Sequence, residues 1–346
     1  MKLKTFLKLV LFLAPFAALG QTKLSPQAFS QPIDSVYNFE NVSLFVAGET
    51  HYRPANFTLQ FELFKKLHEK GFDIILYENC YSKCFFMNEY IKGENIEVPF
   101  QQQLMATELI YIDSLKQYYS QLPANNKFKM IGIDLEWPRE LNILAIEHIL
   151  SKIESTAYFK PYLNKFEVYQ TAESKELKPA IHEVFEELLI GLSKDSLQAQ
   201  KCLGRYYKDF KTIVIISIKH KEAAALSYDF SKDVEQLNAR DQFMFENIKS
   251  VYQENSNAKC YLQIGATHIT LSKDSTWRKL NGYESVITRL EQDSLYKGKT
   301  ICNLIVYKGK AVFENRAECK VTKELFKQLK KKFICWCIYI FQSWCG

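Results

Sequence analysis

The stretch VSLFVAGETH, residues 42–51, is an apolar run that stops at a glycine and then presents a glutamate and a histidine. Short runs of this kind, rich in β-branched and aromatic residues, are typical of buried strands. Phenylalanine and leucine then recur at helical spacing from Phe57 to Leu67, and a second apolar run occupies residues 73–77. This order predicts a strand, a helix and a parallel strand, the unit from which α/β sheets are built.

The Gly-x-x-His pattern of residues 48–51 recurs at residues 265–268, directly after the apolar run 260–264. Two other apolar runs end in carboxylates, since 73–77 precedes Glu78 and 128–133 precedes the segment 134–136. The carboxyl ends of parallel strands meet at one crevice, where open α/β sheets bind their ligands. We therefore expect one mouth to be lined by Glu49, His51, Glu78, Asp134, Glu136 and His268.

Carboxylates beside imidazoles are the groups that hydrolysis needs, either as acids and bases or as ligands of a metal. Each group also has a structural alternative. A single histidine at a strand end is commonly structural, but the repeated spacing favours a site. For Asp134 and Glu136, capping of a helix is as good an explanation as a role in the site.

The fold class predicted from these elements is α/β, with a mostly parallel central sheet flanked by helices. Residues 140–232 contain long helical patterns, and we interpret them as a helical insertion between the third strand and a later helix that carries arginine and aspartate. The run 212–218 is strongly β-prone, but the helix formers that follow it favour a helix there. A further strand is predicted at 300–307, followed by a hairpin that leads into a strand at 311–313.

The helix predicted from residue 233 to residue 252 places Arg240 and Asp241 within its apolar stripe, just after Leu237. Charges on such a face must be paired or must line a polar cavity, because an unpaired buried charge costs several kcal/mol. Arg240 is thus a candidate for stabilising an oxyanion or for holding a carboxylate of the site. An internal ion pair with a purely structural role is the alternative.

The two ends of the chain differ in composition from its body. Residues 1–20 have the basic start, short apolar core and small residues of a cleavable secretory signal, which predicts a secreted or periplasmic protein. Residues 21–320 are interpreted as a single α/β domain. Residues 321–346 form a basic and then apolar tail that could contact a membrane surface, pair as an edge strand or be an unnatural end to the reading frame. We expect no functional use of it.

The formal net charge of +6 is concentrated at these ends, which leaves residues 21–320 with a net charge of −1. The body of the chain therefore gives no electrostatic reason to expect nucleic-acid binding. Nine cysteines are an odd number for an exported chain, and their spacing alone does not reveal any pairing.

These motifs resemble a superfamily that joins the erythromycin esterase-like proteins, the ChaN-like iron-regulated proteins and the TraB/Tiki proteins. The resemblance covers residues from about 40 to 275 and follows the order of the motifs at 48–51, 73–78, 240–247 and 265–268. It implies that Glu49, His51, Glu78 and His268 line an active site. It also implies that Arg240 and Asp241 support that site.

The branches of this superfamily imply different functions for the same residues. The helix motif is similar to that of the esterases, and the paired Gly-x-x-His spacing is similar to that of the TraB/Tiki proteins, which implies a metal-dependent peptidase. We expect an exported hydrolase that cleaves an ester or amide bond of a small molecule or peptide. It would use either no cofactor or one divalent metal, manganese, cobalt or zinc, held by His51, His268 and Glu78. A ChaN-like haem-binding or metal-binding protein without hydrolase activity is the alternative.

Overall fold

A central sheet with helices on both faces forms the protein. The computed structural model describes residues 37–51, 55–96, 104, 106–136, 140–153, 158–171, 178–225, 234–269, 282–306 and 339–343. The elements in chain order are β1 (Leu44–Glu49), α1 (Ala55–His68), β2 (Ile74–Cys80), α2 (Tyr81–Ile91), α3 (Ala106–Gln121), β3 (Lys129–Asp134), α4 (Glu140–Ser151), α5 (Lys160–Thr171), α6 (Lys178–Lys194), α7 (Ser196–Leu203), α8 (Tyr207–Ala225), α9 (Val234–Glu254), β4 (Cys260–Gly265), α10 (Val286–Gln292), β5 (Thr300–Val306) and β6 (Tyr339–Ser343). Short 3₁₀ helices occupy Ala124–Asn126, Gly204–Tyr206 and Ala266–Ile269.

The strand order across the sheet is β3-β2-β4-β1-β5-β6. The first five strands in the chain run parallel, and β6 pairs antiparallel with β5 at one edge. The predicted α/β class, with a mostly parallel sheet flanked by helices, is confirmed. Of the alternatives for the tail, an edge strand is the one observed for residues 339–343, and membrane contact stays a prediction.

Alternate residues of strands β1 to β5 face opposite helical layers, as the two-residue period of a strand requires. Phe45, Ile75 and Tyr261 belong to the core cluster on the side of α1, α2 and α3. Leu44 and Leu76 belong to the cluster on the side of α9 and α10. The sheet is therefore buried on both faces, which explains why its strands read as nearly continuous apolar runs.

The helices α4 to α8 lie in the chain between β3 and α9, as the predicted helical insertion requires. Residues 212–218 are part of α8, so the helical interpretation of that β-prone run is confirmed. Ile213 and Val214 are fully buried there, which shows how tertiary burial overrides local propensity.

Several predictions from the sequence fall on residues that the structure does not describe. The predicted signal segment 1–20, the hairpin and strand at 308–313 and the tail up to residue 338 lie outside the described ranges. Across the described ranges, none of the helices combines the length and the apolar character that a membrane span needs. The five cysteines within them, Cys80, Cys84, Cys202, Cys260 and Cys302, are free.

Candidate active site

The candidate site lies where the carboxyl ends of the central strands meet. Strand β4 lies between β1 and β2, and its last residue, Gly265, pairs in register with Glu49 at the end of β1. Glu78 comes from β2 and Asp134 ends β3. The parallel order of the strands thus brings three carboxylates, from β1, β2 and β3, to one edge of the sheet.

Arg240 joins two of these carboxylates. Its Nε donates to Asp134 Oδ1 at 2.9 Å and its Nη2 donates to Asp134 Oδ2 at 2.5 Å, while Nη2 also donates to Glu78 Oε1 at 2.8 Å. The Arg240 side chain is 20% exposed and Glu78 is 6% exposed. A two-pronged contact of this kind fixes the guanidinium in orientation as well as in position. Arg240 therefore holds two site carboxylates, which is one of the roles predicted for it.

His268 is enclosed between two further carboxylates. Its Nδ1 lies 2.6 Å from Asp241 Oδ1, and its Nε2 lies 3.2 Å from Glu78 Oε1. Asp241 is fully buried and also accepts hydrogen bonds from the Tyr283 hydroxyl at 2.7 Å and from the Val286 backbone at 3.0 Å. Burial alone would lower the pKa of His268, but the charges of Asp241 and Glu78 outweigh it and raise that pKa to about 10. His268 is therefore an imidazolium at neutral pH.

Glu78 stays ionised in the middle of this cluster. Burial would raise its pKa, but the charge and hydrogen bond of His268, together with the charge of Arg240, hold the pKa well below its usual range. Its other oxygen, Oε2, accepts a hydrogen bond from the Gly265 backbone amide. Glu78 thus keeps a negative charge because cationic and amide donors surround it.

His51 is the exposed member of the site, with 48% of its side chain accessible to solvent. Its Nδ1 lies 3.5 Å from Glu49 Oε1, and its Nε2 lies 3.6 Å from Glu78 Oε2. Partial loss of hydration lowers its pKa, but the interaction with Glu49 and the charges of Glu78 and Glu49 outweigh this, so the pKa lies above the ordinary value of 6.5. The histidine that can exchange protons with solvent is therefore His51.

The glycine of the second motif is required by close packing. A Cβ built on Gly265 would lie 2.5 Å from His51 Nε2 and 3.1 Å from Glu78 Oε2. The 2.5 Å contact is shorter than Cβ atoms show in real structures and the 3.1 Å contact is tight, so a larger residue would displace the imidazole. Gly265 lets the backbone approach the site, which is one of the uses of glycine.

The structure separates Glu136 from the other predicted site residues. Its side chain is fully buried, and its Oε1 accepts a hydrogen bond from the Ser82 backbone at 3.1 Å, in the first turn of α2. Burial raises the pKa of Glu136 to about 7. For Glu136 the helix-capping alternative is the one observed, whereas Asp134 contacts Arg240.

The residues proposed as metal ligands fit such a role poorly. Arg240 Nη1 lies 3.3 Å from His268 Nε2, so a guanidinium stands where a metal bound to that nitrogen would have to be. The other ring nitrogen of His268 faces Asp241. Within the described ranges, no group of three or more histidine, cysteine or acidic side chains is arranged to hold a metal ion. We therefore derive no step through a metal, and haem binding stays a prediction.

Two polar residues of α1 support the site and were missed in the sequence. Asn56 donates to the Thr50 carbonyl at 2.9 Å, and Gln60 donates to Glu49 Oε2 at 2.8 Å. Both side chains are buried, with 2% and 1% exposure. The signal that could have revealed them is a pair of amides four residues apart on the apolar face of a helix, since residues at this spacing share one face.

The comparisons with known proteins show a distant fold relationship. The sequence matches no family model, and no curated protein matches it either. A Bacillus cereus protein of known crystal structure is similar with a TM-score of 0.57 and 17% identity, over 84% of this chain and 73% of that one. A succinoglycan biosynthesis protein is similar with a TM-score of 0.53 and 17% identity, over 76% of this chain and 65% of that one.

A mutant erythromycin esterase in its open conformation is also similar, with a TM-score of 0.47 and 14% identity, over 80% of this chain and 75% of that one. The likeness of the first two structures, at 17% identity, shows a shared fold and nothing finer. The chain therefore shares a fold, over part of its length, with the Bacillus cereus and succinoglycan biosynthesis structures.

Proposed function

We propose that this protein is a hydrolase in which His51 activates a water molecule for attack on an ester or amide carbonyl. The observation that carries the proposal is the contrast within one cluster between an exposed histidine and a buried, fully paired set of charges. His51 is 48% exposed, whereas Glu78 and His268 are 6% and 4% exposed. The exposed imidazole is the one group here that can take up and release a proton quickly.

The chemistry assigned to His51 is general base and then general acid catalysis. The neutral ring removes a proton from water as the water oxygen bonds to the carbonyl carbon, and the carbonyl oxygen becomes an oxyanion. When the intermediate collapses, the imidazolium returns its proton to the leaving oxygen or nitrogen. Glu49 and Glu78 face the two ring nitrogens and stabilise the imidazolium that forms between these steps.

The oxyanion needs a positive partner that the substrate can reach. Arg240 is 20% exposed and is fixed by Asp134, so its position is set before the substrate binds. Fixed donors aimed at the developing charge are the usual means of stabilising such an intermediate. We assign this role to Arg240 in preference to His268, which is 4% exposed and enclosed by Asp241 and Glu78.

The finer features of the proposal rest on the motifs. Their order resembles that of the erythromycin esterase-like and TraB/Tiki proteins, which favours a small-molecule or peptide substrate. The composition of residues 1–20 favours action outside the cytoplasm, in the periplasm or the medium.

The experiment that tests the proposal measures hydrolysis of a panel of chromogenic esters and amides by the wild type and by His51→Ala. Removal of a general base is expected to lower kcat by about 10²-fold to 10⁴-fold. His68→Ala is the matched control, because His68 ends the same helix that follows His51 and contacts Tyr118 instead of the site. Unchanged hydrolysis in a folded His51→Ala variant, or an equal loss in His68→Ala, would end the proposal.

A further inference from the structure

A buried tyrosine and a buried glutamine form a hydrogen-bonded chain that ends at Glu49. The Tyr261 hydroxyl, on β4, donates to Gln60 Oε1 on α1. The Gln60 amide nitrogen in turn donates to Glu49 Oε2 at 2.8 Å. Tyr261 is fully buried and Gln60 is 1% exposed, so this chain runs through the interior behind the site.

The direction of these hydrogen bonds decides which atom of the Gln60 amide faces Glu49. A glutamine amide has an accepting oxygen and a donating nitrogen, which differ in charge but hardly in shape. Because Tyr261 donates to the oxygen, the nitrogen of Gln60 must face Glu49. The reversed amide would place its oxygen against a carboxylate, which is repulsive. Tyr261 and the charge of Glu49 together fix the amide, and the amide holds one oxygen of Glu49 in place.

The fixed carboxylate presents its second oxygen to His51. Glu49 Oε1 lies 3.5 Å from His51 Nδ1, while Glu78 Oε2 lies 3.6 Å from Nε2. Glu78 already receives donors from Arg240, His268 and the Gly265 amide. In the described part of the chain, Glu49 receives one such donor, from Gln60. Glu49 is thus the less compensated carboxylate, and it attracts the single proton of the neutral ring to Nδ1.

We infer that Gln60 and Tyr261 are positioning residues that orient Glu49 and thereby leave His51 Nε2 as the unprotonated, basic nitrogen. The catalytic consequence of this inference rests on the proposed function, but the effect on the tautomer does not. Neither residue touches the reacting atoms. They act through Glu49, in the way that the partner of a catalytic histidine selects its tautomer.

The first turns of α1 give this inference a second support. Asn56 lies one turn before Gln60 and donates to the Thr50 carbonyl at 2.9 Å, next to His51 in the chain. One face of α1 therefore holds the backbone that precedes the histidine and also the carboxylate that faces it. Packing of α1 against the sheet makes both contacts rigid, since Leu63 and Phe64 are buried in the same core as Tyr261.

The test reads the tautomer of His51 by ¹⁵N NMR, at a pH above the titration of its ring, and needs no substrate. His51→Asn identifies the signal among the six histidines. In the wild type, we expect Nδ1 to give the protonated type of signal and Nε2 the unprotonated type. In Tyr261→Phe and in Gln60→Met, we expect the two nitrogens to become more alike as both tautomers are populated.

A buried pair of the same composition supplies the control. Gln263, also on β4, donates to the Tyr111 hydroxyl at 2.5 Å. Within the described ranges neither of these side chains hydrogen-bonds to Glu49, so Tyr111→Phe should leave the His51 tautomer as in the wild type. A wild-type ring protonated on Nε2, or an unchanged tautomer in both Tyr261→Phe and Gln60→Met, would overturn the inference. So would an equal change in Tyr111→Phe.

A kinetic measurement separates this inference from the proposed function. With an ester that the wild type hydrolyses, Tyr261→Phe should lower kcat about tenfold at unchanged KM, the loss expected for one hydrogen bond in a charged network. If His51→Ala stays active while the tautomer still responds to Tyr261→Phe, the positioning chain stands and the hydrolytic role of His51 fails. If the tautomer does not respond to Tyr261→Phe and Gln60→Met, the positioning role of Tyr261 and Gln60 is wrong, whatever the activity.

Discussion

The two Gly-x-x-His motifs have the same spacing but opposite environments. Residues 48–51 end with a histidine that is 48% exposed, whereas residues 265–268 end with one that is 4% exposed. The first histidine lies 3.5 and 3.6 Å from its two carboxylates. The second lies 2.6 and 3.2 Å from its own. The same short pattern thus yields one open imidazole and one that is enclosed.

The cause of the difference lies in the elements that surround each motif. After Gly265 the chain enters the 3₁₀ helix Ala266–Ile269, which packs against α10 and lies beside Asp241 of α9. After His51 the chain leads to α1, whose Asn56 and Gln60 donate hydrogen bonds to Thr50 and Glu49 and leave the imidazole ring exposed. A buried, paired imidazole has a fixed charge, and an open one can change its charge. The comparison therefore favours a structural role for His268 and is consistent with the catalytic role proposed for His51.

The same substitution at both histidines gives the largest expected effect. His268→Asn would leave Asp241 without its imidazolium partner and Glu78 with Arg240 as its remaining cation. Breaking a buried ion pair in this way costs about 3–5 kcal/mol of the free energy of unfolding. His51→Asn, at an exposed position, should change that free energy by less than about 1 kcal/mol while abolishing hydrolysis. Denaturant unfolding of the two variants measures the difference directly. Equal destabilisation by both would contradict the division of roles.

The dependence of stability on pH tests whether His268 is held as a buried imidazolium. The pKa of His268 is raised to about 10 in the folded protein, against an ordinary value of 6.5. Its contribution to stability is therefore complete below pH 6.5 and is lost as the pH rises through 10. Each unit of pKa shift corresponds to about 1.4 kcal/mol, so the contribution amounts to several kcal/mol. We expect wild type and His268→Asn to differ most near pH 6 and to converge above pH 10.

Titrating groups remote from His268 are common to both proteins and cancel in this difference, whereas Glu78, whose pKa His268 helps to lower, changes together with it. His51→Asn is the control, because an exposed imidazole contributes little to stability. A difference between wild type and His268→Asn that stays constant from pH 6 to pH 10 would show that His268 is not held as an imidazolium.

Much of this arrangement could be predicted from the sequence because it depends on local pattern. The apolar runs at 42–47, 73–77, 128–133 and 260–264 predict four parallel strands, and the described structure contains all four. Their polar ends then meet because the carboxyl ends of parallel strands lie at the same edge of a sheet. Arg240 was recognisable as a paired charge because it interrupts an apolar stripe.

The remaining features depend on tertiary packing and left no local signal. The position of β4 between β1 and β2 decides that Gly265 lies beside Glu49, and nothing in either segment specifies it. Glu136 lies two residues beyond Asp134, yet it turns toward α2 and caps that helix. Equal spacing could not show that the two histidines differ in exposure, since the covering elements come from distant parts of the chain.

The two motif glycines provide a third test of the comparison. Gly265→Ala would place a methyl group 2.5 Å from His51 Nε2, so the ring must move away from Glu78. Overpacking of this kind costs about 1–3 kcal/mol, and here the displaced group is the proposed base. In Gly48→Ala the methyl group would lie 2.7 Å from Ile269 Cγ1 and would meet Cδ1 as well, so the displaced side chain is apolar and is not one of the charged groups of the site. We expect the first variant to lose most of its activity and the second to keep it, measured by kcat at matched folding.

The smallest expected effect concerns the pH dependence of the reaction. A base must be unprotonated, so hydrolysis should fall as the pH drops through the pKa of His51, which the interaction with Glu49 and the charge of Glu78 raise above 6.5. Glu49→Gln removes the negative charge and keeps one accepting oxygen, to which Gln60 donates. The acid limb of the pH–rate profile should then move down toward 6.5.

Glu136→Gln is the matched control, since burial raises the pKa of that carboxyl to about 7 and it titrates in the same range, away from the cluster. If the limb moved in Glu136→Gln and stayed in Glu49→Gln, the titrating group would be the helix cap and not the exposed histidine. The opposite result would tie the limb to His51, and so the open member of the two motifs would be the one that sets the rate.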